Sequence, residues 1–199
     1  MAVSVLVARV GGPEIQGRFS VFKSINDFQV AFLTFGLPSG VVYYLNKKNF
    51  GDALFFKLAF IFSFVLCFPL ILLDYALIGY MFSPGDGLTS AVISAVCIGV
   101  GSSAMVGYSI HRGIILTKTD GDLFSLITIT PSLLYLLLLP ISVLIGFAPI
   151  SSAYFIVGIV SIVISTTLTK SMMTDHTFSD IRGIDWRIIF SQARHVFLQ

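Results

Sequence analysis

VARVGGPEIQGRFSVFKSINDFQVAFLTFGLPSGVVYYLNKK, residues 7–48, carries in one run the features that decide the reading of the whole chain. An apolar segment ends in a hinge of Gly11, Gly12, Pro13 and Gly17. A polar approach with Arg18 and Lys23 follows, then an apolar span from about Asp27 to Leu45 broken by Gly36-Leu37-Pro38, and a basic end at Lys47-Lys48. Glycine and proline inside an apolar span free backbone carbonyls. At membrane depth those carbonyls are tolerated only where neighbouring helices, hydroxyls or water satisfy them, so the break is placed toward protein or a wet cavity.

Composition agrees with a membrane setting. The 199 residues are 56% hydrophobic and 11% charged, with a mean hydropathy of +0.94. A water-soluble core of this size cannot hide so many apolar side chains, and lipid must be the main solvent. The formal net charge of +2 is too small for a nucleic-acid footprint. Cys67 and Cys97 both fall inside apolar runs, where a thiol behaves as a small hydrophobe. Neither points to a disulfide or a metal site. The N-terminus lacks the basic region and small-residue cleavage site of a removable signal peptide.

Outward from the opening stretch, Met1–Val10 is about half the length of a spanning helix, which needs roughly 20 residues. A third apolar run, about Ala53 to Phe82, crosses with tilt and places Asp74 near an interface. Asp74 reads either as a coupling-ion carboxylate or as a residue reaching the headgroups from the last turns. Ser83-Pro84-Gly85-Asp86-Gly87 is a turn. The next span, Leu88 to Ile110, carries Ala91, Ala95, Gly99, Ser103 and Gly107 at a four-residue spacing, a small-residue face suited to helix–helix contact. His111 to Gly121 reads as a short charged loop. The fifth span, about Leu123 to Phe147, has Pro131 and Pro140 and is expected to kink. After the Ala148-Pro149 turn, the sixth, about Ile150 to Thr169, repeats hydroxyls at Ser161, Ser165 and Thr169. Beyond Lys170, charges alternate with Ile184, Trp186, Ile188, Ile189 and Phe190, the pattern of an amphipathic interfacial helix.

Loop charges predict the orientation. Lys47, Lys48 and Lys57 flank the second connection, Arg112 and Lys118 lie in the fourth, and Lys170, Arg182, Arg187 and Arg194 follow the sixth span, while the third and fifth connections have neither lysine nor arginine. The positive-inside rule makes the even connections and the tail cytoplasmic. Arg9, Arg18 and Lys23 are then basic on the outer side, either decorating the surface or facing an interior cavity that meets an anion.

The hinge and the broken span resemble the N-terminal signature of the polysaccharide flippases, the O-antigen and teichoic-type lipid-linked oligosaccharide exporters of the multidrug/oligosaccharidyl-lipid/polysaccharide exporter superfamily. In that family a Gly-Pro-Glu-x-x-Gly turn follows the first membrane helix and a Leu/Phe-Gly-Leu-Pro-Ser-type break sits in the second. Here these are Gly12-Pro13-Glu14-Ile15-Gln16-Gly17 and Phe35-Gly36-Leu37-Pro38-Ser39. The resemblance implies an all-α, polytopic helical bundle of about five full transmembrane helices plus a partial first helix, one lobe of a two-lobed transporter. It divides the chain into an N-terminal transmembrane lobe, residues 1–170, and a cytoplasmic amphipathic linker, residues 171–199, leading toward a missing second lobe.

The implied function is flipping of polyprenyl-pyrophosphate-linked oligosaccharide across the cell inner (cytoplasmic) membrane for surface polysaccharide or lipopolysaccharide biosynthesis. The implied substrate contacts are Arg18, Lys23, Asp27, Gln29 and Arg112, and the implied partners are the lipid-linked oligosaccharide, membrane lipid, and a C-terminal lobe or a second copy. The alternatives are a cation-coupled multidrug exporter of the same superfamily, disfavoured by membrane segments nearly free of carboxylates, and a non-transporting membrane scaffold. As a single lobe the chain is expected to leave Gln29 turned toward lipid, or to dimerise through the small-residue face of the fourth span and the hydroxyl face of the sixth.

Enzymatic chemistry finds little support. His111, His176 and His195 share no metal-ligand spacing, and there is neither a Walker-type phosphate loop nor a Gly-x-Ser-x-Gly elbow. His111-Arg112 reads as an active-site pair or as an interfacial loop pair. Asp120 and Asp122 read as a metal-diphosphate site or, more cheaply, as a solvated loop. No cofactor or metal is expected.

Overall fold

A computed structural model of the chain describes residues 2–34, 36–46, 52–81, 88–119, 121 to 145 and 150–173. Among them the protein is an all-α helical bundle: α1 (Ala2–Leu33), α2 (Leu37–Asn46), α3 (Asp52–Met81), α4 (Leu88–Lys118), α5 (Asp122–Ile145) and α6 (Ser151–Met172). Four of these, α3 to α6, are each long and apolar enough to cross a membrane, and the chain is a multi-pass membrane protein. Lys47, Lys48, Phe35, the Ser83–Gly87 turn, Asp120, the Ala148-Pro149 turn and the linker from residue 174 on lie outside the described residues.

The hinge is local chemistry. Gly12 has φ 77° and ψ 178°, a backbone region that only glycine occupies readily. Pro13 starts the second arm of α1, where its missing N–H has no helical partner to lose. The expected polar approach is therefore helical: α1 continues unbroken from Pro13 through Arg18 and Lys23 to Leu33. Around Gly36, at φ 73°, the chain turns. The Leu37 N–H donates to the Thr34 carbonyl at 3.0 Å, and the Gly40 N–H to the Gly36 carbonyl at 2.8 Å. Pro38 falls in the first turn of α2. The second span is thus two helices, α1 and α2, joined at the break.

α4 is the centre of the bundle and packs against α1, α2, α3, α5 and α6. Its sequence between Ala91 and Gly113 is rich in glycine, alanine and serine, which lets other backbones close in. The small-residue face meets α3: a side chain at Gly99 would strike the backbone of Ile71, and one at Gly107 would strike Ser63 and the Ala59 carbonyl. Ile71 beside Gly99 and Ser63 beside Gly107 show that α3 runs antiparallel to α4. α6 runs parallel to it, with Tyr154 at Gly101 and Thr166 at His111. The Lys118–Asp52 ion pair, 2.5 Å, joins the end of α4 to the start of α3. The even connections and the end of α6 therefore share one end of the bundle.

Two expectations are corrected. The His111–Gly121 stretch is not a loop, because α4 continues to Lys118. Ile114 and Ile115 along it are fully buried, and the helix runs through Gly113 and ends before Gly121, at φ 95°. Nor are the two proposed dimerisation faces available. Gly99 and Gly107 are covered by α3, while Ser161, Ser165 and Thr169 are buried within the bundle. α5 carries both Pro131 and Pro140 within one helical element. α3 likewise contains Pro69 and exposes Phe64, Phe68 and Leu72, an apolar face suited to lipid.

Candidate functional site

Phe19, Phe22, Asn26 and Gln29 are the buried residues along the second arm of α1, and their three- and four-residue spacing makes them one stripe. The stripe begins apolar and ends polar. Its polar half meets three other helices. Gln29 donates from Nε2 to Oδ1 of Asp74 on α3, and Ser102 of α4 donates to Asn26 Oδ1 at 3.0 Å. The Tyr135 ring of α5 lies 5.2 Å from that of Tyr154 on α6, and Asn26 is beside the Tyr135 hydroxyl. Nearby, Ser151 donates to Ser94 at 3.2 Å.

This cluster has hydrogen-bonding capacity to spare. Gln29 Oε1, Asp74 Oδ2 and the Tyr154 hydroxyl are buried without a partner. Buried polar groups are nearly always satisfied, and in a membrane an unsatisfied one costs several kcal/mol. The Gln29–Asp74 pair and the Tyr135–Tyr154 pair thus flank neighbouring turns of α1, joined through Gln29 and Asn26. Asp74, expected near the headgroups, has no exposure at all. The expectation failed because α1 and α3, both packed on α4, bring Gln29 and Asp74 together from remote parts of the sequence. Gln29 is likewise not turned toward lipid, being only 4% exposed.

The remaining expected contacts are placed differently. Arg18 pairs with Glu14 at 3.2 Å, and Lys23 pairs with Asp27, each four residues along α1. The Lys23 and Asp27 side chains are 47% and 56% exposed. Asn26 bonds Ser102, which is midway along α4 (Leu88–Lys118), so Lys23 and Asp27, within about one turn of Asn26, stand level with the middle of α4. Arg112 is elsewhere. It lies ten residues past Ser102, about 15 Å along α4, with its guanidinium 5.8 Å from the Phe124 ring centroid of α5. The structure brings Arg18, Lys23, Asp27 and Gln29 onto one helix and leaves Arg112 outside the group.

His111, expected at an interface, is fully buried in α4. Its Nε2 is 3.2 Å from Thr166 Oγ1, and its ring packs edge-on against Phe56 and Phe60 of α3. Among the described residues no arginine is paired with it, and Arg112 points toward α5, so the two do not form a reacting pair.

Sequence reasoning missed Asn26, Ser102, Tyr135 and Tyr154. The Asn26–Gln29 spacing on the Phe19–Phe22 stripe was a legible signal. The other three are ordinary-looking residues in apolar helices. Comparison of the chain with known protein families, with curated proteins and with solved structures gives no match, so the site is read from its own chemistry.

Proposed function

We propose that the chain is a lobe of a membrane transporter that flips polyprenyl-pyrophosphate-linked oligosaccharide, moving the headgroup along a wet path beside the second arm of α1. One observation carries the reading: Lys23 and Asp27 are about half exposed at the depth of the midpoint of α4. Charged side chains there do not face hydrocarbon, and they line water-filled routes or protein interiors. Glu14 to Asp27 places two cations and two carboxylates along about 20 Å of one helix, most of the way across a hydrocarbon layer of about 30 Å. A pyrophosphate offers Lys23 and Arg18 stronger, charge-assisted partners than an exposed carboxylate one helical turn away. The oligosaccharide cargo follows from the sequence resemblance of the hinge and the broken span. A second reading, a cation-coupled multidrug exporter, is favoured by the buried carboxylate of Asp74, which removes the argument that the spans lack acidic groups.

The test is labelling. With Cys67 and Cys97 replaced by alanine, Lys23→Cys is expected to react with a membrane-impermeant maleimide and Phe64→Cys is not. Polyprenyl-pyrophosphate oligosaccharide should protect position 23. Protection by organic cations alone would favour the exporter, and an unreactive position 23 would remove the wet path.

A further inference from the structure

From the Gln29–Asp74 pair we infer that Asp74 is a proton-binding site, and that its proton closes an acid–amide ring locking α1 to α3. The inference holds whatever the cargo. Gln29 Nε2 donates to one carboxyl oxygen, Asp74 Oδ1. That leaves one oxygen on each group, Gln29 Oε1 and Asp74 Oδ2, and both are buried without a partner. As a carboxylate, Asp74 only accepts, so the pair is left with two buried orphan acceptors. Protonated on Oδ2, Asp74 has an O–H to donate, and the amide oxygen of Gln29 is the acceptor already attached to its partner. One proton then satisfies both orphans, giving paired N–H···O and O–H···O bonds between the same two side chains.

Among the described residues no cation is placed to do this instead. Asp74 has no exposure, and an isolated buried carboxylate is costly enough that it takes up a proton instead. Among the described residues no lysine, arginine or histidine forms an ion pair with Asp74. The charged groups of α1 closest in sequence to Gln29, Lys23 and Asp27, are paired with each other on the exposed side. α4 contributes Cys97 and serines at this end, and its His111, Arg112 and Lys118 lie toward the other end of the helix. α5 and α6 contribute the hydroxyls of Tyr135 and Tyr154, while Tyr75 and Tyr80 of α3 itself are exposed.

The chemistry balances with water as the only co-reactant. A proton from water adds to a lone pair of Oδ2 and returns to water on release, with no other bond made or broken. Release sets a carboxylate oxygen against an amide oxygen, two acceptors that repel, and favours a second arrangement in which α1 withdraws from α3 and the pair meets water. Because α1 carries the exposed Lys23–Asp27 pair, proton release moves those charges with it, which is how a proton gradient would bias the helix between two positions.

The experiment is infrared difference spectroscopy on the intact 199-residue chain in lipid nanodiscs, paired with thermal melting. At neutral pH, in sodium-free buffer, we expect a carboxylic-acid C=O band that disappears in Asp74→Asn and moves to the frequency of a free acid in Gln29→Leu. Raising the pH should convert the band to carboxylate and lower the melting temperature of the unmodified chain. Asp74→Asn should show a flat melting profile, because asparagine reproduces both hydrogen bonds of the neutral acid. An Asp74-dependent carboxylate at neutral pH, whether constant or produced by sodium, would overturn the assignment. So would failure of Asp74→Asn to fold under conditions where Gln29→Leu folds.

Discussion

Gly101 of α4 and Gly158 of α6 meet backbone to backbone: a β-carbon on Gly158 would stand 2.6 Å from the Gly101 carbonyl oxygen, and one on Gly101 would stand 2.6 Å from that of Tyr154. This crossing sets the distance between the two parallel helices that bury Ser161, Ser165 and Thr169. Gly158→Ala should therefore destabilise the bundle by about 1–3 kcal/mol, the usual range for overpacking. Thermal melting in detergent measures it. Gly17→Ala, where a β-carbon meets nothing within 4 Å, is the control and should stay near the starting value. Equal effects at the two positions would mean that the crossing is not tight.

Asn26 and Ser102 give a second, smaller number. A hydrogen bond between membrane helices contributes on average about 0.6 kcal/mol and at most about 1.7. A double-mutant cycle with Asn26→Ala and Ser102→Ala, read by melting, should return a coupling within that range. A coupling of zero would detach α1 from the middle of α4, and with it the placement of Lys23 at that level.

Helix direction fixes which connections lie together. The Lys118–Asp52 pair and the antiparallel packing of α3 on α4 put the second and fourth connections at one end. Reporter fusions after Gly51 and after Lys170 should therefore report the same side, and a fusion at Gly85 the opposite one. The lysine and arginine bias adds that the shared side is cytoplasmic. A fusion at Gly85 that agrees with the other two would contradict the packing, while three signals inverted together would contradict only the charge rule.

Arg18 and Lys23 separate transport from folding. Both side chains sit on the second arm of α1 in pairs four residues apart, worth no more than about 0.5 kcal/mol each to helix stability. If the cargo is the polyprenyl-pyrophosphate oligosaccharide proposed above, Arg18→Ala with Lys23→Ala should reduce surface polysaccharide several-fold while leaving protein abundance unchanged. Arg112→Ala, which lies apart and stacks on Phe124, should lower abundance instead. Normal export from the double variant would make the α1 cations decorative.

What the sequence determined by itself is what depends on neighbours along the chain. An all-helical membrane bundle follows from hydropathy, because uninterrupted apolar runs of this length have few other stable forms in lipid. The break at Gly36 and the hinge at Gly12 were legible because positive φ and proline placement are properties of single residues. Small-residue spacing on α4 and the hydroxyl spacing on α6 correctly marked inward faces, since a four-residue period fixes one side of a helix.

Only the tertiary structure decided which faces meet. Asp74 looked like a headgroup anchor and His111 a loop residue, because distance from a span end was the sole guide to depth. In the fold Asp74 is enclosed by a glutamine 45 residues away in sequence, and His111 by Phe56, Phe60 and Thr166. The same distinction governs charge. That Lys23 and Asp27 pair is a matter of four-residue spacing, but their depth is set by the contact of Asn26 with Ser102, 76 residues apart. Local spacing fixes the direction of a side chain relative to its own helix, and the energy of a polar group in a membrane depends on what another helix places beside it.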